Sequence, residues 1–427
     1  MKKRVFAITG VCCLVLMLLM GNFAMAAPKE VKLSVIYAPG DPLNKQLIHE
    51  SIIAFMKVNP NIKIDEDLSI SQGAYADILK IKDSVGEFPD FMEMRDAPMF
   101  VRAGKLAPLP KELLGLYAKT IPIYDTVYTA PFAAMYPIGM FYDRKLFLEN
   151  GWQEPKTYGE FLQLCEKIKS KGKAPIVAGI KDIWHMGFLF SKFWVDSVGI
   201  KNPNWIAQRY AGKVHFSDVD FAAGMKQLVE LFTKGDVEQS FMSTTEAQCP
   251  SILVSGKAAM LYSGPFEIQQ IMSADPGFEL GWFPVPDAKG KINLTGGSTK
   301  DGWALSATAA KNPEKVKAFV KFVRFFMSKE QYTKYCKVSN TFPTTKWTPD
   351  YEMTPVMKKM LTAYAKAPKA LNWNQGAGFN ELPPPFRNWT YKKVQEMALG
   401  MVSVRDGLKQ MDEEFDKEAR DFNPLKK

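Results

Sequence analysis

Histidine and cysteine are scarce in this chain: 427 residues carry only three of the first, His49, His185 and His215, and five of the second. No CxxC pair and no H-E-x-x-H occurs, so a zinc site has no ligand set to start from. The G-x-S-x-G elbow of serine hydrolases and the G-x-x-x-x-G-K-[ST] phosphate loop are absent too. Ser170-Lys171-Gly172-Lys173 fits S-x-x-K in form only, at a helix end in a Lys/Gly loop with no companion motif. Gly296-Gly297 is too short a glycine signal for a phosphate cradle. No run of five like charges interrupts the chain, and no aromatic–basic recognition signature is present, which excludes a nucleic-acid partner. Long apolar runs are also missing, except at the extreme N-terminus, so a polytopic membrane protein is excluded.

What is present is the balance of a folded, soluble protein: 47% hydrophobic and 23% charged residues. The length suits two domains of ordinary size or one large α/β unit. Lys2, Lys3 and Arg4 precede an apolar run from Val5 to Met20, and Ala24-Met25-Ala26-Ala27 follows. A basic head, an apolar middle and an A-x-A end make residues 1–26 a secretory signal peptide. Cys12 and Cys13 sit in mid-run behind Thr9-Gly10-Val11, where a lipobox cysteine would end the run, so the expectation is a periplasmic protein without a lipid anchor. Cleavage removes three positive charges and leaves 52 Lys+Arg against 45 Asp+Glu, a net +7 spread along helices with acids between. Such spreading marks a solvated surface, with a weak long-range preference for acidic ligands. Cys165, Cys249 and Cys336 remain. Three thiols allow at most one internal bridge, which the sequence does not choose, and Cys165 on an apolar helix face reads as a buried free thiol.

Val31 to Tyr37 is β-branched and alternating enough for a strand. Asp41-Pro42 then supplies an N-cap and first-turn proline, and Leu43, Leu47, Ile48, Ile52 and Phe55 recur at helical spacing up to Asn59-Pro60. Strand 62–64, helix 75–85 and the segment Phe88 to Met94, which leads into a short strand, continue the alternation that produces a parallel sheet with crossover helices. After Ala130-Pro131 the pattern restarts: strand 137–142, a capping box Thr157-Tyr158-Gly159-Glu160, an aromatic helix from Trp184 to Val198, and a buried strand Ala258 to Tyr262. Trp303 alternates with Leu305 on a strand and reads as core, and Asp90 after Pro89 reads as a turn residue. A Pro- and aromatic-rich loop runs from Lys369 to Trp389 before a helical tail. The chain is thus divided into a first lobe, 27–136 plus 285–346, and a second, 137–284 plus 347–427.

The order of these landmarks resembles the extracellular solute-binding proteins of ABC importers, the family that includes sugar and maltose binders. The resemblance is carried by Ala54-Phe55 to Ile64, and by Pro89-Asp90 with Ala103-Gly104-Lys105-Leu106-Ala107-Pro108-Leu109. It continues through Gly139-Met140-Phe141-Tyr142-Asp143-Arg144-Lys145-Leu146-Phe147, with Asp143 where the family has Asn. Further pieces are Gly256-Lys257-Ala258-Ala259-Met260, Gly264-Pro265-Phe266, with Phe266 where Trp is common, and Leu399 to Leu408. No single piece is specific; their co-linear order over roughly 380 residues is. The resemblance implies a class II α/β fold, two lobes joined by hinge strands and closing on a ligand. It implies a monomer with no cofactor, metal or catalytic residue, which delivers a carbohydrate to the permease subunits of a membrane transporter.

Sugars present apolar C–H faces and many hydroxyls, so their sites need aromatic plates and short charged or amide groups. Strand-end positions and the resemblance together nominate Tyr37 and Asp41, Arg95 and Asp96, Trp184 and His185, Phe266 and Glu267, Gly297, Ser298 and Asp301, and Trp373 with Asn374. Tyr37 and Phe266 fit core capping equally well, and Asp41 fits a helix cap better. Trp373, among Asn, Gly and Gln, is read as an exposed ring that lacks a packing partner, and so as a ligand contact. Two rivals stay open. One is an acidic sugar or polyol phosphate as ligand, motivated by the +7 charge and by Arg95 and Lys300. The other is an extracytoplasmic glycoside hydrolase, since paired carboxylates are always available among 45 acids.

Overall fold

The computed structural model describes residues 30–38, 42–68, 75–134, 136–297, 301–376, 378–383 and 385–422. The signal-peptide segment and the candidates Asp41 and Ser298 lie outside these residues, as does Lys300. Two main sheets organise the chain, one of five strands and one of four.

In the first sheet, β1 (Val31–Ile36) pairs parallel with β2 (Ile62–Glu66) and with β3 (Phe91–Met94). Leu33 and Val35 point to one face, where Ile48, Ile52 and Phe55 of the helix Pro42–Val58 cover them. That helix stops where Asn59 turns its side-chain amide back onto the Phe55 carbonyl at 3.0 Å. Strand β10 (Gly302–Leu305) returns from far along the sequence and runs antiparallel between β3 and β4 (Thr129–Ala130), which gives the strand order β2-β1-β3-β10-β4. Its Trp303 is fully buried among Phe91, Phe132, Phe322 and Phe326, the core role expected for it. Gly302 adopts φ 152°, and a Cβ there would stand 2.3 Å from the Ala130 carbonyl, so only glycine lets β10 enter beside β4. Asp90 is structural: it accepts from the Ser34 N–H at 3.0 Å and pairs with Lys315 at 2.7 Å.

In the second sheet, β5 (Gly139–Asp143) runs antiparallel to both β7 (Ala258–Ser263) and β8 (Leu280–Phe283), and β6 (Ala174–Val177) pairs parallel with β7. The order is β6-β7-β5-β8. Every residue of β7 is buried, as its unbroken apolar run requires. The expected capping box at Thr157 is half formed. Thr157 accepts from the Glu160 N–H at 3.1 Å, but the Glu160 carboxylate takes the N–H of Lys156 instead of that of Thr157. The aromatic helix is shorter than its periodicity: it spans Ile183–Trp194 and then widens into a π-turn, Val195–Gly199. There Ser197 bonds back to the Phe193 carbonyl at 2.6 Å, and buried Lys192 pairs with Asp196, which also accepts from Asn293 at 3.0 Å. Cys165, Cys249 and Cys336 are free and buried.

Three segments pass between the sheets and are stitched to one another. Thr295 on β9 (Leu294–Thr295) donates to the Tyr136 carbonyl at 3.0 Å and accepts from the Ile138 N–H at 3.3 Å. The Ala134 N–H donates to the Phe342 carbonyl at 2.8 Å. Strand β9 pairs parallel with β11 (Lys369–Ala370) rather than joining either main sheet.

Candidate functional site: a two-sided crevice

The parallel strands β1, β2 and β3 end at the edge where β10 begins, since Gly302 pairs with Met94. On the other sheet, β6 and β7 end at the edge where β5 begins, since Ser263 pairs with Gly139. Both edges lead into the crossing segments, so the loops at the carboxyl ends of the strands of both sheets meet across one crevice. That is where open α/β sheets place ligands.

The wall from the first sheet is polar. Glu93, buried at the end of β3, accepts the Ala38 N–H at 3.0 Å on one oxygen and Arg95 Nε at 2.8 Å on the other. Arg95 stands in the crevice with 43% of its side chain exposed. Burial works against its charge, but Glu93, with Asp301 behind it, reverses that effect and raises its pKa above the ordinary guanidinium value. Asp96 occupies the N-cap position of the helix Ala97–Arg102 without capping it. Its carboxylate instead accepts Arg387 Nη1 at 2.8 Å from the opposite wall. Asp301, just before β10, accepts Gln375 Nε2 at 3.0 Å, also from the opposite wall. For Arg387 burial again opposes the charge, and Asp96 and Asp301 outweigh it.

The facing wall is aromatic. Trp184, 38% exposed, meets Phe188 edge-on at 5.4 Å and Phe266 at 6.4 Å. Phe266 meets Tyr136 edge-on at 5.9 Å. Four rings from the first crossing segment, the loop after β7 and one helix thus form a partly exposed plate. Such a surface takes the apolar face of a ligand whose hydroxyls turn to the polar wall.

Of the nominated residues, the crevice brings together Arg95, Asp96, Asp301, Trp184 and Phe266. Gly297, at φ 123°, donates its N–H to Tyr364 Oη at 2.9 Å, and Asn374 is half-buried next to Gln375. Four expectations need correction. Tyr37 is buried in the first core, its hydroxyl donating to Glu66 at 2.6 Å, and burial followed by that bond raises its pKa. His185 has no exposed surface: the Gly179 N–H donates to Nδ1 at 3.2 Å, so the neutral ring carries its proton on Nε2 and gives it to the Tyr262 carbonyl at 3.1 Å. Glu267 is fully buried, accepting from Ser263 Oγ at 3.1 Å. Trp373 is packed against Phe190, Trp194, Phe216 and Phe221, partners supplied by segments about 150–180 residues away.

Sequence reasoning missed Glu93, Tyr136, Phe188, Gln375 and Arg387. Phe188 carried a readable signal, lying four residues from Trp184 on one helix face. Arg387 carried none, because its partner Asp96 is 291 residues away. Two surface hollows, of about 720 Å3 beside Lys32, Ile53 and Lys63 and about 420 Å3 beside Ser197 and Trp205, lie on outer faces away from this crevice. Among the described residues no cluster of His, Cys, Asp and Glu is arranged to hold a metal ion.

Residues 42–325 match the family model of the bacterial extracellular solute-binding proteins, about two-thirds of the chain. The chain belongs to that family. This solute-binding protein is 23% identical over 410 residues to the multiple sugar-binding protein of Streptococcus mutans serotype c, covering 93% of this chain and 92% of the relative. Its fold is similar to that of a chitin oligosaccharide binding protein, with TM-score 0.77, 22% identity, and 92% and 99% of the two chains covered. It is also similar to that of a sugar transporter from Bacillus licheniformis in complex with stachyose, with TM-score 0.74, 17% identity, and 91% and 100% covered. These likenesses establish the class II two-lobed fold for the solute-binding protein described here. Among its described residues no helix is long and apolar enough to cross a membrane.

Proposed function

We propose that this protein captures a mono- or oligosaccharide between its lobes in the periplasm and hands it unchanged, as a monomer, to an ABC permease. The observation that carries the reading is the partly exposed ring plate of Trp184, Phe188 and Phe266 facing a wall of carboxylates and guanidinium groups across one crevice. The names of the relatives, which bind several sugars, chitin oligosaccharide and stachyose, support the ligand class.

The charge balance favours a neutral sugar over an acidic one. Among the described residues of the crevice, Arg95 is already engaged by Glu93 and Arg387 by Asp96, and Asp301 adds a further negative charge. A uronate would have to compete with these carboxylates for its cation. Glu93, Asp96 and Asp301 are in turn engaged by Arg95, Arg387 and Gln375, which suits holding hydroxyls rather than exchanging a proton with a glycosidic bond.

Calorimetric titration with maltose, stachyose, chitin oligosaccharides and galacturonate tests the reading. Binding of at least one neutral sugar, recovered intact by chromatography, is expected; hydrolysis, or binding of galacturonate alone, would overturn it. Trp184→Ala removes the exposed ring at little cost to folding. It is expected to weaken that sugar by about 1–2 kcal/mol, roughly five- to thirtyfold in Kd, with Trp184→Phe recovering most of the loss.

A further inference from the structure

Asp96 and Arg102 stand at the two ends of the short helix Ala97–Arg102, about 9 Å apart along its axis. Both reach across to one stretch of the second lobe. Asp96 meets Arg387, and Arg102 Nη1 meets Glu381 Oε2 at 3.2 Å. The second contact is held in place by neighbours on both sides. The Arg102 guanidinium lies 3.8 Å over the Phe422 ring and donates to Tyr124 Oη at 3.0 Å. Glu381 is buried, and its backbone carbonyl accepts the Tyr210 hydroxyl at 2.8 Å. Tyr124 and Asp125 sit at φ 48° and 66° in a two-residue turn bridged by Ile123 and Thr126. Asn-Gly is the usual pair in such a turn, and left-handed backbone at two ordinary residues persists only where surrounding structure holds it.

We infer that Arg102 and Glu381 form a clasp that draws the lobes together without touching ligand, and so sets the affinity for every ligand by one common factor. The inference rests on the reading that the lobes open and close around a sugar. A group that stabilises only the closed form changes the closing constant. If the closed form dominates without ligand, losing the clasp opens the protein; if the open form dominates, the same loss appears as weaker apparent affinity.

The test measures both regimes. Spin labels are placed on Ile81→Cys in one lobe and Leu148→Cys in the other, both exposed positions, while the three buried native thiols stay unlabelled. Arg102→Ala and Glu381→Ala are each expected to lower the closing constant about tenfold. The result is a shift of label distances without ligand or an about tenfold rise in Kd, equal for maltose and stachyose. The double variant should go no further than the worse single one, as for partners in one contact. Unchanged distances together with unchanged affinity, additive single effects, or a different factor for each sugar would overturn the clasp. Tyr124→Phe removes only one acceptor and gives a milder shift in the same direction should either alanine variant fail to fold. If none of the sugars binds, the functional reading falls; a shift of label distances in the alanine variants then still supports the clasp, and distances that both variants leave unchanged overturn it as well.

Discussion

Trp373→Ala is expected to lower the unfolding free energy by about 3–5 kcal/mol, the range for truncating a large buried aromatic. The ring is 2% exposed, and its neighbours come from the helix Ile183–Trp194, from Phe216 and Phe221, and from Phe386 at the start of the helix Phe386–Ala398. Removing it leaves a void walled by several elements already packed against one another, so the cavity cannot collapse cheaply. Urea unfolding reads the loss as a lower midpoint at unchanged slope. Below that midpoint, sugar affinity should stay within about threefold of the unaltered protein, because the ring does not reach the crevice. A variant of normal stability whose sugar binding is abolished would show that Trp373 is a ligand plate after all. Trp373→Phe, which keeps most of the packed surface, should lie well under half the alanine effect.

Acid should destabilise the protein through His185 in a window that can be stated in advance. Burial pushes this imidazole down from 6.5 to about 4, against the smaller opposing pulls of the Tyr262 carbonyl and Asp182. Between those two values the unfolded chain binds a proton that the folded chain refuses, so stability rises with pH there. The contribution of His185 is complete above about 6.5, falls as the pH drops through the window, and reaches a loss of about 3 kcal/mol near pH 4. Urea unfolding at pH 7, 5.5 and 4 measures it. His185→Gln, which can still offer one donor and one acceptor, should flatten the pH dependence by about that amount. If the variant loses stability between pH 7 and 4 as steeply as the parent, the titrating group lies elsewhere.

Much of the architecture is legible in the order of the amino acids. Alternating apolar residues in Val31–Ile36 and helical spacing up to Phe55 are local patterns, and their burial follows from period alone. Trp303 is recognisable as core because Leu305 alternates with it, and both are buried. The crevice is partly legible for a similar reason. Arg95, Asp96, Phe266 and Asp301 follow or precede strands, and parallel topology sends all such loops to one edge.

The same reasoning misplaces His185 and Trp373, and the causes differ. For His185, one residue of helical rotation from Trp184 separates an exposed ring from a buried one, while the acceptor that holds it, the Tyr262 carbonyl, is 77 residues further on. For Trp373, a polar local context disguises a position whose packing partners, Phe386 apart, are remote in sequence. Glu93, Gln375 and Arg387 are invisible to it because a charge or amide becomes part of a site only through its partner, and for two of the three that partner lies across the seam.

Local chemistry therefore determined the secondary elements, the succession of strands and the family, since each depends on neighbours within about ten residues or on their order along the chain. Tertiary structure alone decided which rings stay exposed, which charges are already matched and what holds the lobes together. Exposure and electrostatic pairing are properties of the space around a group, and the chain fills that space from segments hundreds of residues apart.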